Sequence, residues 1–250
     1  MKFVLSILAA LTLFSAPAQA GETHVAVAAN FTATAKDIAA EFEKKTGNTA
    51  ILSFGSTGKL YTQIANGAPF QIFLAADDVR PAKAEDEGLA VAGSRFTYAM
   101  GKLVLYSTDK TLVDRDGAVL ARPDAFAKLA IANPNTAPYG SAAVEVMKAK
   151  AVYDAVADRL VQGDSIAQTF QFVETGNAAL GFVALSQVIA SKQGSRWIVP
   201  QDLYTPIRQD AVLLKTGEQN EAAKAFLDFL KGPEAKKIIQ SYGYGLDSAS

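Results

Sequence analysis

Between His24 and Leu89 the chain passes repeatedly from a short apolar stretch, through a turn of small and polar residues, into a helical pattern. Strand, turn and helix in succession restrict the fold to a parallel sheet with helices packed against it, because a parallel strand pair needs a crossover. His24-Val25-Ala26-Val27-Ala28-Ala29 reads as a buried strand, and Asn30-Phe31-Thr32 supplies cap-type residues. Ala35, Ile38, Ala39 and Phe42 then share one helical face, and Gly47 follows as a C-terminal stop. The unit repeats: Thr49 to Phe54 predicts a strand and Leu60 and Ile64 a helix that ends before Gly67-Ala68-Pro69. Gln71 to Ala75 predicts a third strand, followed by Asp77-Asp78 and another helical stretch.

After Gly93 the texture changes, and Phe96 to Met100 and Lys102 to Ser107 read as strands leaving this first lobe. Ala127 to Asn133, Leu160 to Gln162 and Leu180 to Leu185 predict strands of a second α/β lobe, each followed by a helical segment. Pro206 to Lys215 is extended again, and from Asn220 the spacing of Ala223, Phe226, Leu227, Phe229 and Leu230 predicts an amphipathic helix. A chain that leaves one lobe, builds a second and returns has the layout of a hinged clamshell. The expected division is residues 21–100 with 208–250 in lobe 1 and residues 101–207 in lobe 2.

Lys2, the apolar run from Phe3 to Phe14 and Ala18-Gln19-Ala20 read as a secretory signal peptide over residues 1–20. The run is shorter than the roughly 20 apolar residues that span a membrane, so an exported, periplasmic protein beginning near Gly21 is expected. Loss of Lys2 takes the formal charge from −1 to −2, which implies no basic face for nucleic acid. Cysteine is absent, which excludes disulfides, thiol catalysis and cysteine metal ligands. The sole histidine, His24, reads as an ordinary edge residue at a strand start, leaving no histidine for a triad or a two-histidine metal site.

Ser53-Phe54-Gly55-Ser56-Thr57-Gly58-Lys59-Leu60 resembles a nucleotide-binding loop only in part. Ser53 stands where the first glycine belongs and Leu60 where the magnesium-binding hydroxyl belongs. What survives is a turn whose N–H groups enter a helix, a geometry that binds anions. Three more turns share it: Ala28-Ala29-Asn30-Phe31, Ala137-Pro138-Tyr139-Gly140 and Asp164-Ser165-Ile166-Ala167. Two belong to each lobe, so closure brings four helix starts to one point, a layout suited to a dianion held by neutral donors. Singly, Asn30, Thr57 and Ser165 read as N-caps, and Tyr139 is expected at the surface between two turn residues, as a site hydroxyl or a packing aromatic. Asp77-Asp78 reads as a cap rather than a catalytic carboxylate pair, and Asp114-Arg115-Asp116-Gly117 as a turn rather than a calcium loop.

These turns, in their order, carry a resemblance. Val27-Ala28-Ala29-Asn30, the Ser53–Leu60 turn, Gly67-Ala68-Pro69, Gly93-Ser94-Arg95-Phe96-Thr97-Tyr98 and Gly101-Lys102-Leu103-Val104-Leu105 resemble the periplasmic molybdate-binding proteins of ABC transporters. Asn133-Pro134, Ala137-Pro138-Tyr139-Gly140, Gly181-Phe182-Val183-Ala184-Leu185 and Lys231-Gly232-Pro233 extend the match over about residues 23–245. The resemblance implies a two-lobed class II periplasmic binding protein with a hinged cleft, a monomer that encloses molybdate or tungstate without cofactor, metal ion or catalysis and delivers it to a membrane permease. It also implies ligand-binding roles for Asn30, for Ser56 and Thr57 through hydroxyl and N–H, for Tyr139, and for the main-chain N–H of Ile166. The chain departs from many members in having Ala184 where they carry a tyrosine and Asn30 where they carry a serine. Either Tyr139 supplies that hydroxyl or the pocket takes a different set of anions. A sulfate or phosphate carrier on the same fold is the alternative, although monoprotonated phosphate needs an acceptor, and an exported hydrolase lacks a nucleophile with a base.

Overall fold

The structure is a computed structural model and describes residues 20–247. The signal peptide expected over residues 1–20 lies, Ala20 apart, outside the described residues. Two five-stranded sheets organise the chain. The first is built by β1 (Glu22–Ala28), β2 (Thr49–Gly55), β3 (Ile72–Leu74) and β4 (Phe96–Gly101), interleaved with α1 (Thr32–Thr46), α2 (Thr57–Ala65) and α3 (Val79–Asp86). The second contains β5 (Leu103–Ser107), β6 (Leu129–Ala132), β7 (Leu160–Gly163), β8 (Leu180–Ala184) and β9 (Ser195–Ile198). Its helices are α4 (Pro138–Ala149), the short α5 (Tyr153–Val156), α6 (Ile166–Glu174) and the short α7 (Leu185–Val188). The chain then returns through β10 (Ile207–Leu213) to the first sheet and ends in α8 (Glu221–Lys231) and α9 (Pro233–Ser241).

Both sheets repeat one plan. In the first, β2, β1 and β3 run parallel and β10 is inserted antiparallel between β3 and β4. In the second, β7, β6 and β8 run parallel and β5 is inserted antiparallel between β8 and β9. Only Lys102 separates β4 from β5, and Ile207 of the returning strand pairs with Gly101, so the two crossings lie side by side. Among the described residues no helix is long and apolar enough to cross a membrane.

Strand alternation explains the layers. Val25 and Val27 of β1 pack against Ile38, Phe42 and Phe226 on one face of the first sheet. Ala26, between them, faces Leu60 and Ile64 on the other. Phe42 and Phe226 meet edge to face with ring centroids 5.2 Å apart, which joins α1 to α8. Gly47 ends α1 in the left-handed conformation (φ 74°) that glycine adopts without a Cβ clash. Asn220 caps α8 by accepting the Ala222 and Ala223 N–H groups.

Several expectations are corrected. β1 lies between β2 and β3, so His24 is not on an edge strand; its imidazole reaches solvent from the strand's beginning and meets Glu22 at 3.2 Å. The third strand is Ile72–Leu74, two residues shorter than its apolar run suggests. Phe229 is only partly buried, and Ala222 takes its place on the covered face of α8. The four-residue β9 escapes a reading by periodicity, which needs a longer window.

Candidate functional site

Three depressions compete as binding sites. A groove of about 1110 Å³ on the first lobe is lined by charged side chains that pair with one another: Arg95 with Asp210 at 2.7 Å and Arg208 with Asp247 at 3.0 Å. A second, of about 1090 Å³, opens between the lobes beside Asp77, Val79, Pro138 and Pro206. The third holds only about 190 Å³ and adjoins the second, with Ala76 and Pro138 lining both. Size favours the first two. Chemistry favours the third, because it contains a buried hydroxyl with no partner.

That hydroxyl is Ser56 Oγ, in a residue 4 % exposed. A buried polar atom left unpaired costs free energy unless something else satisfies it. Ser56 occupies the N-cap position of α2 in an extended conformation, yet its side chain makes no cap bond. Thr57, expected as a possible cap, is instead the first helical residue. Its Oγ1 accepts the Ala76 N–H at 3.0 Å, so its own proton is free to point elsewhere. As the first residue of α2, Thr57 also has an N–H without an intrahelical acceptor.

The other lobe faces these groups with Tyr139 and Ile166. Pro138 starts α4 and puts Tyr139 at its second position, where the ring is drawn into the core and not to the surface as its turn neighbours suggest; it is 1 % exposed. Burial keeps the phenol protonated well above the ordinary tyrosine range. Tyr139 Oη accepts from Gln209 Nε2 at 3.4 Å. Ile166 opens α6, whose cap is Ser165: its Oγ accepts the Gln168 N–H at 3.3 Å. The Ile166 carbonyl is tied to Gln187 Nε2 at 3.1 Å, and Gln187 Oε1 holds the Ala184 N–H at 2.9 Å.

Asn30, Ser56, Thr57, Tyr139 and Ile166 therefore line one cavity. Its remaining wall is Ala28, Ala29, Gly55, Ala76, Ala137 and Pro138, with no charged side chain. The amide of Asn30 is committed to the protein: Nδ2 donates to Gln209 Oε1 at 2.7 Å and to Tyr244 Oη at 3.1 Å. The Asn30 carbonyl accepts from Ser186 Oγ at 2.9 Å and from Tyr244 Oη at 2.7 Å. Tyr98 Oη joins the same cluster, donating to the Ala75 carbonyl at 2.8 Å. Gln209, Tyr98, Tyr244 and Ser186 were not legible as site residues. The one available signal was Gln209 itself, a polar residue at an inward position of β10, beside Arg208 and Asp210.

The lobes also touch around the cavity. Gly58 N–H donates to the Thr136 carbonyl at 2.8 Å, Arg80 Nη2 to the Asn135 carbonyl at 3.0 Å, and Lys59 Nζ lies 2.9 Å from Asp164 Oδ2. Gly58 and Lys59, the pair that evoked a nucleotide loop, thus serve the contact between lobes. Asp77 Oδ1 caps α3 by accepting the Arg80 N–H at 2.9 Å. Burial holds the Asp77 carboxyl above the usual carboxylate range, against the opposing pull of Arg80 beside it. Among the described residues no group of acidic or histidine side chains could hold a metal ion.

Comparison with known proteins matches this frame. The family model of the bacterial extracellular solute-binding proteins covers residues 23–245. The chain is 60% identical over 237 residues to the molybdate-binding protein ModA of Azotobacter vinelandii, covering 94% of each chain. It is 59% identical over 228 residues to ModA of Rhodobacter capsulatus, covering 91% of this chain and 90% of that one. The solved structure of the Azotobacter vinelandii periplasmic molybdate-binding protein superposes with a TM-score of 0.88 at 42% identity, over 90% of this chain and 100% of that one. Two sheets of one plan joined by paired crossings, a donor-lined cavity between them and this match over nearly the whole chain agree: the protein belongs to the bacterial extracellular solute-binding family and groups there with the molybdate-binding proteins.

Proposed function

We propose that this protein captures molybdate, and tungstate with it, in the periplasm after removal of residues 1–20, and presents it as a monomer to the permease of an ABC transporter. The observation that carries the reading is the Ser56 hydroxyl, buried and unpaired in a cavity of neutral donors. A fully deprotonated oxyanion supplies acceptors on every side and needs none from the protein. The hydroxyls of Ser56, Thr57 and Tyr139, the N–H groups of Thr57 and Ile166, and the main chain at Asn30 are the assigned contacts. Helix starts at α2, α4 and α6 add favourable electrostatics without any charged side chain. Tyr139 takes the part of the hydroxyl that Ala184 lacks. Residues 21–100 with 208–250 then move against residues 101–207, and the carrier needs no chemistry of its own.

Thermal melting with matched concentrations of oxyanions tests this, because a ligand that binds only the folded state raises the melting temperature. Molybdate and tungstate are expected to stabilise strongly, sulfate and phosphate much less. Equal shifts with sulfate would overturn the assignment.

A further inference from the structure

Behind the cavity, a fully buried glutamine stands beside one of its hydroxyls. Gln209 lies in β10, 0 % exposed, and its amide is oriented by its neighbours. Asn30 Nδ2 can only donate, and it lies 2.7 Å from Gln209 Oε1. The carbonyl end of Gln209 is thereby turned to Asn30, and its NH₂ end is left facing Tyr139 Oη at 3.4 Å. A hydroxyl that accepts on one side has its single proton available on the other. The place of that hydroxyl is also confined: a Cβ on Gly101, where the chain crosses between sheets, would come within 2.3 Å of Tyr139 Oη and 3.0 Å of Gln209 Nε2. Only a glycine there leaves room for the pair.

We propose that Gln209 is a positioning residue that holds the Tyr139 hydroxyl as a donor into the cavity, and so sets the discrimination against oxyanions that carry a proton. The inference rests on the reading that Tyr139 contacts the bound anion. Held as a donor, Tyr139 suits an oxyanion with lone pairs on every oxygen. A hydrogen phosphate ion, of the same double charge, presents an O–H that needs an acceptor and meets another donor. Freed from Gln209, the Tyr139 hydroxyl can turn and accept that proton. Because the two anions carry equal charge, the ratio of their affinities isolates proton direction from general electrostatics.

The test measures molybdate and hydrogen phosphate affinities by calorimetry in mildly alkaline buffer for the parent protein, Gln209→Met, Tyr139→Phe and the double variant. Methionine keeps the length and removes the amide. Gln209→Met is expected to lower the molybdate preference by about threefold to tenfold, the scale of one redirected hydrogen bond, and to have no further effect on that preference once Tyr139→Phe is present. An unchanged preference in folded Gln209→Met, or a change that persists with Tyr139→Phe, overturns the proposal. Unchanged molybdate affinity in Tyr139→Phe alone overturns the Tyr139 assignment and the proposal with it, whereas lost affinity there with a constant preference in Gln209→Met overturns only the role of Gln209. If Gln209→Met does not fold, Gln209→Glu keeps the shape. Its carboxylate accepts the Tyr139 proton, and the same ratios, read in the same mildly alkaline buffer, decide the matter.

Discussion

Ser56 and Thr57 are adjacent hydroxyls with opposite thermodynamic roles. Thr57 Oγ1 satisfies the Ala76 N–H, so Thr57→Val strands a buried donor and, on the proposed reading of the site, also removes one hydrogen bond to the anion. The ligand-free protein is expected to lose about 1–3 kcal/mol by denaturant melt, and molybdate affinity to fall roughly tenfold to a hundredfold by calorimetry. Ser56→Ala removes a hydroxyl that satisfies nothing in the protein. Its ligand-free melting temperature is therefore expected to hold or rise while affinity falls, and a loss of both would return Ser56 to an ordinary structural role. Around the cavity, the buried tyrosines Tyr98, Tyr139 and Tyr244 all have phenols raised by burial. A raised pKa means stability is present below the unfolded value, near 10, and is lost as pH climbs through the folded one. Melting temperature should consequently fall only above about pH 10, and molybdate affinity should stay level up to that point.

At the scale of elements, helix starts carry both stability and the site. Asn220 shows the stabilising use: its Oδ1 takes two N–H groups of α8, and its Nδ2 donates to the Glu22 carbonyl and to Gln71 Oε1, both at 2.8 Å. Asn220→Ala should cost about 2 kcal/mol, the upper end for a cap, and leave molybdate affinity unaltered, as read by denaturant melts and calorimetry. The start of α2 is the opposite case, with its cap hydroxyl turned from the helix to the cavity. Most elements were readable because apolar spacing and stop residues are local: α1 ends at Gly47 and α8 begins after Asn220, as the pattern implies. The side chains that orient the site were not readable. Gln209 and Asn30 are 179 residues apart, and no local pattern announces a bond between them.

For the whole molecule, the contact between lobes divides into a weak charge and a close approach. Lys59 and Asp164 are about half and mostly exposed, so Lys59→Ala is expected to reduce affinity no more than about fivefold, and less in high salt. Gly58 is different, since a Cβ there would lie 3.0 Å from the Thr136 Cα and 3.1 Å from Arg80 Nη2. Gly58→Ala should therefore weaken molybdate binding more than Lys59→Ala does. Small-angle scattering should show the parent protein contracting on binding molybdate and the Gly58→Ala protein contracting less; equal contraction would mean the lobes do not need this approach.

The sequence by itself determined the class of the fold, the two-lobed order of its elements and the five residues that come to one cavity. The fold class and the order of elements rest on local signals, apolar periodicity and turn chemistry, written within a few residues of where they act, whereas the five residues were singled out by the resemblance to a known family. Only the tertiary structure decided that Tyr139 is buried, that Thr57 supports Ala76 and Ser56 supports nothing, and that Gly58 and Lys59 face the opposite lobe. Those facts depend on which groups from distant segments arrive at hydrogen-bonding distance. A hydroxyl's role is set by the partner it meets, and that partner is chosen by packing.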